Sequence, residues 1–414
     1  MIQRVRGFKD VLPPESDIFY QIEKTARETF ETYNFKEIRL PTVEYFDLFV
    51  KSTGEETDIV KKEMYKFEDN SKRVLALRPE GTPGTVRAFI ENNLNLKGNS
   101  HKYFYIGNMF RAERPQAQRY REFEQIGVEY IGNPSPYADA EIIILLDSIL
   151  KKLNLNNLYR IEINSLGCQA CRKKYKELIV SELKKLDLCQ DCNQRISKNP
   201  LRVLDCKIDQ DKFKNIPPIE LCDECLTHHN LLKEALNANN ITFIENKLLV
   251  RGIDYYTKTV FEFKMSSQSS QDAIAGGGRY DNLVKLMGGV NSPSVGWAMG
   301  VERVVSLMIS KGYKENDNNL VFVVSLSSKQ SKFCFKIINL LRNAGIKTDF
   351  SNFENSLKSQ MRDANSNSAR YAIIIGEDEE KTSKLTIKRL SDGKQQKMEI
   401  NEIINKIKNG ELIL

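Results

Sequence analysis

The chain has 414 residues, of which 41% are hydrophobic, 28% charged and 9% aromatic. That composition excludes a disordered chain, a collagen-like rod and a disulfide-dense mini-protein, and leaves room for roughly two or three domains. The net charge of +7 is mild, but it is uneven: from Leu320 onward 16 basic residues stand against 11 acidic ones, a balance that suits either an acidic partner such as RNA or an ordinary solvated face. No apolar run exceeds five residues, the length of 142–146, which is far too short to cross a bilayer. The opening ten residues lack the apolar core of a signal peptide, so a cytoplasmic protein with no membrane partner is expected.

Pro13 and Pro14 ahead of Glu15 mark a helix start, and Ile22, Ala26, Thr29, Phe30 and Tyr33 follow at helical spacing. Residues 35–40 alternate in part and stop at Pro41, as a strand does. Further strands are predicted at 74–77, 103–106 and 127–131. The plainest helix is 139–153, where Ile142, Leu145, Leu146, Ile149, Leu150 and Leu153 form one stripe. Asp139 and Glu141 open it and Lys151 and Lys152 close it, as the helix dipole favours. From 165 to 240 the character changes to Lys, Asn and Cys, which predicts an inserted module. Strand patterns return at 248–251 and 260–264, followed by a Gly-rich turn at 276–278 and a helix over 300–309. Residues 311–319 read as a linker. Beyond it, strand and helix alternate at 320–326, 330–343, 347–350, 356–366, 371–375 and 384–389, the pattern of a small α/β domain with a largely parallel sheet. The acidic run 377–380 reads as a solvated turn.

Two constellations carry chemistry. The first is Phe110-Arg111-Ala112-Glu113-Arg114, continuing to Arg119-Tyr120-Arg121-Glu122-Phe123, which places four arginines within eleven residues between two predicted strands. Guanidinium groups fork onto phosphate oxygens and stack on purine rings, so a strand–loop–strand of this kind can hold a nucleoside triphosphate, although an exposed Arg-rich hairpin would have the same composition. Neither a P-loop nor a dinucleotide-binding glycine fingerprint is present. The second is the cysteine cluster. Cys168/Cys171, Cys189/Cys192 and Cys222/Cys225 are Cys-x-x-Cys pairs with Cys206 between them, a spacing suited to a closed structural zinc site of four thiolates. Cys189, Cys192, Cys222 and Cys225 are the first choice for that site, although the 29 residues from Asn193 to Leu221 exceed usual ribbon spacing and seven cysteines compete for four places. His228 and His229 are expected to be surface residues, with metal ligation the alternative.

The arginine segment resembles motif 2 of the class II aminoacyl-tRNA synthetases. Gly300-Val301-Glu302-Arg303 resembles motif 3, and the helix and strand ending at Pro41 resemble motif 1, a dimer-interface element. Three segments narrow the resemblance to the histidyl-tRNA synthetases: Leu77-Arg78-Pro79-Glu80-Gly81-Thr82, Leu249-Val250-Arg251-Gly252-Ile253-Asp254-Tyr255-Tyr256, and Gly276-Gly277-Gly278-Arg279-Tyr280-Asp281. The resemblance covers nearly the whole chain. It implies an α+β fold: a class II antiparallel-sheet catalytic domain over 1–318 with an inserted Cys-rich module at 165–240, then an anticodon-binding α/β domain over 319–414.

What the resemblance implies for function is equally specific. The activity would be ligation of L-histidine to tRNA(His) at the cost of ATP, with Mg2+ on the phosphates, by a cytoplasmic homodimer. Glu80, Gly81, Thr82 and Gln125 would hold the amino-acid end of histidine, and Glu129, Tyr255, Tyr256 and Tyr280 its ring. Arg111 and Arg251 would be catalytic on the α-phosphate, and Arg111, Glu113, Arg119, Arg121 and Arg303 would bind ATP. Catalysis in the family does not need zinc, so zinc here would be structural. In the family a guanosine at the tRNA 5′ end is read near motif 2, where Gln116 and Gln118 lie. Gln118 and Asn282 stand where relatives usually carry glycine. A paralogue of the family, a histidine-sensing regulatory subunit of ATP phosphoribosyltransferase, is the alternative; it typically lacks the C-terminal domain and degrades the segment around Arg251.

Overall fold

The computed structural model describes residues 2–55, 57–114, 119–266, 273–313 and 319–410. The chain divides into two compact units, Met1–Tyr313 and Lys314–Leu414. No helix among the described residues is long and apolar enough to cross a membrane.

The first unit is built on an eight-stranded sheet. Its spatial order is Lys36–Glu37, His101–Phe110, Glu122–Ile131, Ser294–Gly300, Ala273–Arg279, Thr257–Met265, Tyr159–Ser165 and Ile244–Glu245. The six inner strands pair antiparallel, and the short outer strand on each edge joins in parallel. One face carries the helices Glu15–Thr32, Pro136–Lys152 and Val301–Ser310, whose Ile22, Phe30, Leu146 and Val304 share a core with Val128, Phe261 and Trp297. The helix Pro136–Lys152 begins three residues before the apolar stripe implied, because Ser135 caps it through the Tyr137 amide and Pro136 takes the first turn. Alternation sorts the strand Glu122–Ile131: Ile126, Val128 and Tyr130 enter this core, while Gln125, Gly127 and Glu129 face the other side. A second core on that side gathers Phe89, Tyr255, Tyr256 and Tyr280 with Ile179, Cys192 and Phe213 of the Cys-rich region. A small sheet in the order Val43–Tyr45, Val74–Leu77, Lys66–Glu68 completes the unit.

Several expectations are corrected. The glycines at 276–278 form the strand Ala273–Arg279 rather than a turn. They are there for close approach: a Cβ on Gly276 would lie 2.5 Å from the Arg251 guanidinium. Residues 248–251 are irregular; the Asn164 side chain takes the Lys247 and Leu249 carbonyls, so no neighbouring strand is needed to satisfy them. Of residues 35–40 only Lys36–Glu37 form a strand, and the Ile38 amide adds one bond to the Phe104 carbonyl.

The second unit is a five-stranded sheet ordered Thr348–Phe350, Val321–Ser325, Tyr371–Ile375, Lys384–Arg389, Gln395–Glu399. The first three strands are parallel, but the last two are antiparallel, so the sheet is mixed rather than largely parallel. The acidic run opens a helix, Glu377–Thr382, and Glu379 is buried with its carboxylate on the Gly376 amide. Four negative side chains at a helix N-terminus complement its dipole, which is why this run is ordered.

Candidate active site

One cavity of the first unit is lined at one end by Glu80, Thr82, Gln125, Tyr255, Tyr256 and Tyr280. Strand phase delivers Gln125, and the start of the helix Thr82–Glu91 delivers Thr82. The Glu80 carboxylate accepts from Thr53 Oγ1 and from the Tyr255 hydroxyl, both at 3.1 Å. Burial raises the Glu80 carboxyl above its ordinary value, against the pull of Arg111 and these two hydrogen bonds. Glu129 is fully buried; Thr82 Oγ1 donates to its Oε1 at 2.6 Å and the Tyr280 hydroxyl to its Oε2. Burial pushes the Glu129 carboxyl up to about 8, with those hydroxyls acting the other way and Glu80 adding to the rise. The neighbouring strand makes room for this carboxylate: a Cβ on Gly296 would lie 2.0 Å from Glu129 Oε2. Gln125 Oε1 is buried with no hydrogen-bond partner among the described residues. Tyr255 packs against Tyr256 with tilted rings, centroids 4.7 Å apart, and edge to face against Tyr280 at 5.6 Å.

The other end of the cavity is cationic. Arg111, Arg119, Arg251 and Arg303 line it, with Phe123 as an aromatic floor. Arg111 Nε donates to the Pro79 carbonyl at 3.0 Å and its guanidinium lies 5.3 Å from the Phe123 ring centre. Arg119 pairs with Glu113 at 2.8 Å. Arg251 Nη1 pairs with Glu262, while its Nε is buried without a hydrogen-bond partner among the described residues. Arg303 reaches the Ala273 carbonyl; burial and the nearby Arg119 and Arg111 hold its guanidinium below the ordinary value. Four guanidinium groups gathered at one end, with an unused donor on Arg251, make a site built for a polyanion. Glu302 also lines this end, accepting from the Glu124 amide at 2.8 Å.

Most of the predicted site residues therefore come together, but not all. Glu129 lies behind Thr82 and Tyr280 rather than on the cavity lining, and Arg121 is turned away, bonded to the Glu113 and Arg6 carbonyls at 3.2 and 3.3 Å. Gly81 does not line the cavity; its hydrogen leaves space for the ring of Tyr105, which a Cβ would meet at 2.2 Å. Tyr105, Thr53 and Glu262 are additions from the structure. Only Tyr105 carried a signal, through its even strand phase with Tyr103. Gln116 and Gln118 lie outside the described residues.

The expected metal set is corrected. Cys189 and Cys192 group with Cys206 and Asp209, whereas Cys222 and Cys225 group with Cys168 and Cys171. Linear spacing favoured the neighbouring pairs; the fold instead closes the first pair against the last, across the ends of the helices Gln169–Leu183 and Asp223–Ala238. His228 and His229 are buried, not surface residues, and face carboxylates: Asp139 at 2.8 Å and Glu245 at 3.4 Å.

Comparison with known proteins agrees with this geometry. Residues 7–167 and 209–304 match the family model described as histidyl-tRNA synthetase, and 320–410 match one described as anticodon binding domain. A histidine–tRNA ligase of Elusimicrobium minutum is 53% identical over 411 residues, covering 98% of this chain and 99% of its own. One from Aquifex aeolicus is 46% identical over 408 residues, covering 97% and 100%. The solved structure of apo histidyl-tRNA synthetase from S. aureus superposes with a TM-score of 0.81 at 32% identity, covering 99% of this chain and 100% of that one. On full-length relatives at these identities and a cavity with matching chemistry, the chain belongs to the histidyl-tRNA synthetase family of aminoacyl-tRNA ligases.

Proposed function

We propose that this chain activates L-histidine with ATP and passes the histidyl group to the 3′ end of tRNA(His), with the following division of labour. The observation that carries the reading is the pairing, in one cavity, of four arginines with a buried carboxylate–amide–tyrosine end. The histidine carboxylate attacks the α-phosphorus of ATP. An oxygen–phosphorus bond forms, the bond to the β-phosphate oxygen breaks, and pyrophosphate leaves with that electron pair. No protein nucleophile takes part, so catalysis rests on positioning and on cations facing the charge that grows on the phosphoryl oxygens. Arg111 and Arg251 flank that phosphate; Glu262 fixes one nitrogen of Arg251 and leaves Nε for the substrate.

Glu80 and the free Gln125 Oε1 take the substrate ammonium. Glu129, behind Thr82 and Tyr280, accepts the imidazole N–H as a third donor once the ring slides between those two side chains, within the capacity of a carboxylate. Tyr256 takes the second ring nitrogen, and Tyr255 holds Glu80 in place. An apolar isostere would leave these buried groups unpaired and be rejected. Arg119, oriented by Glu113, and Arg303 serve the adenine and outer phosphates, while Arg121 positions the loop. Magnesium bound with ATP would neutralise the outer phosphate oxygens; Glu302 fits as its protein ligand, being a lining carboxylate without a salt bridge among the described residues.

The same reading makes the protein a cytoplasmic homodimer, with 1–318 as catalytic domain, 165–240 inserted in it, and 319–414 taking the anticodon. The anticodon-domain match and the basic excess of the C-terminal part support that last assignment. The regulatory alternative is not favoured, because Arg251 through Tyr256 and the C-terminal unit are both retained. The test is histidine-dependent exchange of labelled pyrophosphate into ATP without tRNA. Exchange is expected in wild type and should fall ~100- to 1,000-fold in Arg251→Ala, the usual loss of one charge-stabilising donor. A wild-type chain that binds histidine yet supports no exchange would overturn the proposal.

A further inference from the structure

We infer that the Cys-rich module binds two metal ions at two separate structural sites: one of four thiolates from Cys168, Cys171, Cys222 and Cys225, and one of three thiolates and a carboxylate from Cys189, Cys192, Cys206 and Asp209. In each group all four candidate ligand atoms lie within 4.8 Å of one another. All eight cysteines are free thiols. The Sγ atoms of Cys168 and Cys171 are 3.7 Å apart, and those of Cys189 and Cys206 are 3.8 Å apart. A disulfide would hold them at ~2.05 Å. A tetrahedron with metal–sulfur bonds of ~2.3 Å has edges of ~3.8 Å, so the thiols stand at the spacing of ligands around a zinc-sized ion.

The backbone prepares both sites in the same way. Cys168, Cys189 and Cys222 are the N-cap residues of the helices Gln169–Leu183, Gln190–Lys198 and Asp223–Ala238, all with extended backbone. Their partners three residues on therefore share the helix end, where first-turn amides and the helix dipole favour thiolates. The Cys222 amide already donates to Cys171 Sγ at 3.3 Å. In the second site Asp209 is 1% exposed. Its Oδ2 lies 3.8 Å from Cys206 Sγ and accepts from the Cys189 amide at 2.9 Å, while Lys212 holds Oδ1 at 2.9 Å. A carboxylate tethered through its other oxygen is an oriented ligand. Two ions would staple three short helices and the turn at Pro200–Asp205 in a module of marginal size for a core of its own. The family model passes over residues 168–208, where five of the seven cysteine ligands lie.

The test uses the full chain, purified under reducing conditions without chelator, with metal content measured by plasma mass spectrometry. Two zinc ions per chain are expected. Cys222→Ser and Cys189→Ser keep a helix-capping side chain; each should reduce the count from two to one, and the double variant to zero. One ion in wild type that either variant abolishes would overturn the two-site assignment in favour of a shared site, and no metal, with the cysteines free or oxidised, would overturn it entirely. Should a variant not fold, the chelated wild-type chain is titrated with cobalt(II): thiolate charge-transfer absorbance must rise to an end point at two equivalents, and an end point at one or none refutes the inference. Neither readout depends on aminoacylation, so the inference and the proposed activity fail separately.

Discussion

Replacing Glu129 by Gln tests the ring-recognition chemistry with little change of shape. The carboxylate is fully buried and accepts two hydroxyl hydrogens, from Thr82 at 2.6 Å and from Tyr280. An amide keeps one oxygen acceptor but turns two donors toward those hydroxyls, so one must rotate away, and the charge facing the imidazole N–H is lost. A hydrogen bond to a charged group contributes about 1.5–3 kcal/mol, so the apparent histidine affinity should fall about 10- to 150-fold. The ATP KM should stay close to wild type, since the arginine end is untouched. Pyrophosphate exchange measured over a matrix of histidine and ATP concentrations separates the two. A histidine KM within about threefold of wild type, in a variant of unchanged melting temperature, would remove Glu129 from ring recognition.

A pH dependence follows from the same carboxyl. Burial pushes it up to about 8, so at pH 7 it is largely protonated, and an N–H donor that favours the ionised form expels the proton. Calorimetry at pH 7 in two buffers of different ionisation heat should show close to one proton released on histidine binding by wild type and none from this source in Glu129→Gln. Because the folded value lies above the unfolded one of 4.5, this group's contribution to folding stability is complete below about pH 4.5 and is lost as pH rises through about 8; the Gln variant should lack that slope. Gly276→Ala puts a Cβ 2.5 Å from the Arg251 guanidinium; exchange kcat should drop ~10- to 100-fold, the cost of displacing a catalytic group by about an ångström, while equilibrium dialysis finds histidine binding nearly intact. Asp139→Ala removes one of the two carboxylates on the fully buried Arg279, which keeps Asp281 at 3.0 Å, and the carboxylate partner of His228. With Asp281 still on Arg279, the loss is that of a hydrogen bond to a charged group, about 1.5–3 kcal/mol, so the calorimetric transition of the unit Met1–Tyr313 should fall roughly 2–5 °C, and a shift under about 1 °C would contradict the buried-pair account.

Local pattern carried a large part of this fold. The stripe from Ile142 to Leu153 is a helix because its period matches 3.6 and nothing in it competes. Gln125 and Glu129 share a face because strand parity has no other outcome. Readings failed where a tertiary neighbour decided. Gly276 looks like a turn residue by propensity, but it sits in a strand because Arg251, distant in sequence, lies on it. Residues 248–251 look like a strand by composition, but the Asn164 side chain takes the Leu249 carbonyl and that of Lys247 just before the segment. His228 reads as a surface residue because no local feature announces Asp139, 89 residues away, as its partner. Likewise Cys-x-x-Cys spacing identifies which cysteines act in pairs but not which pairs meet, since that depends on how three helix ends converge.

The hydrogen bond from Arg111 to the Pro79 carbonyl has a thermodynamic consequence. The peptide that receives it leads directly into Glu80, so, on the roles proposed above, the side chain for a phosphate is hydrogen-bonded to the backbone that carries the side chain for an ammonium. A nucleotide that draws Arg111 forward also sets the attitude of Glu80, and an amino acid seated on Glu80 stiffens the mount of Arg111. Each substrate then finds part of its ordering cost already met by the other. Reciprocity requires the two gains to be equal, so whatever factor nucleotide adds to amino-acid affinity, the amino acid returns to the nucleotide.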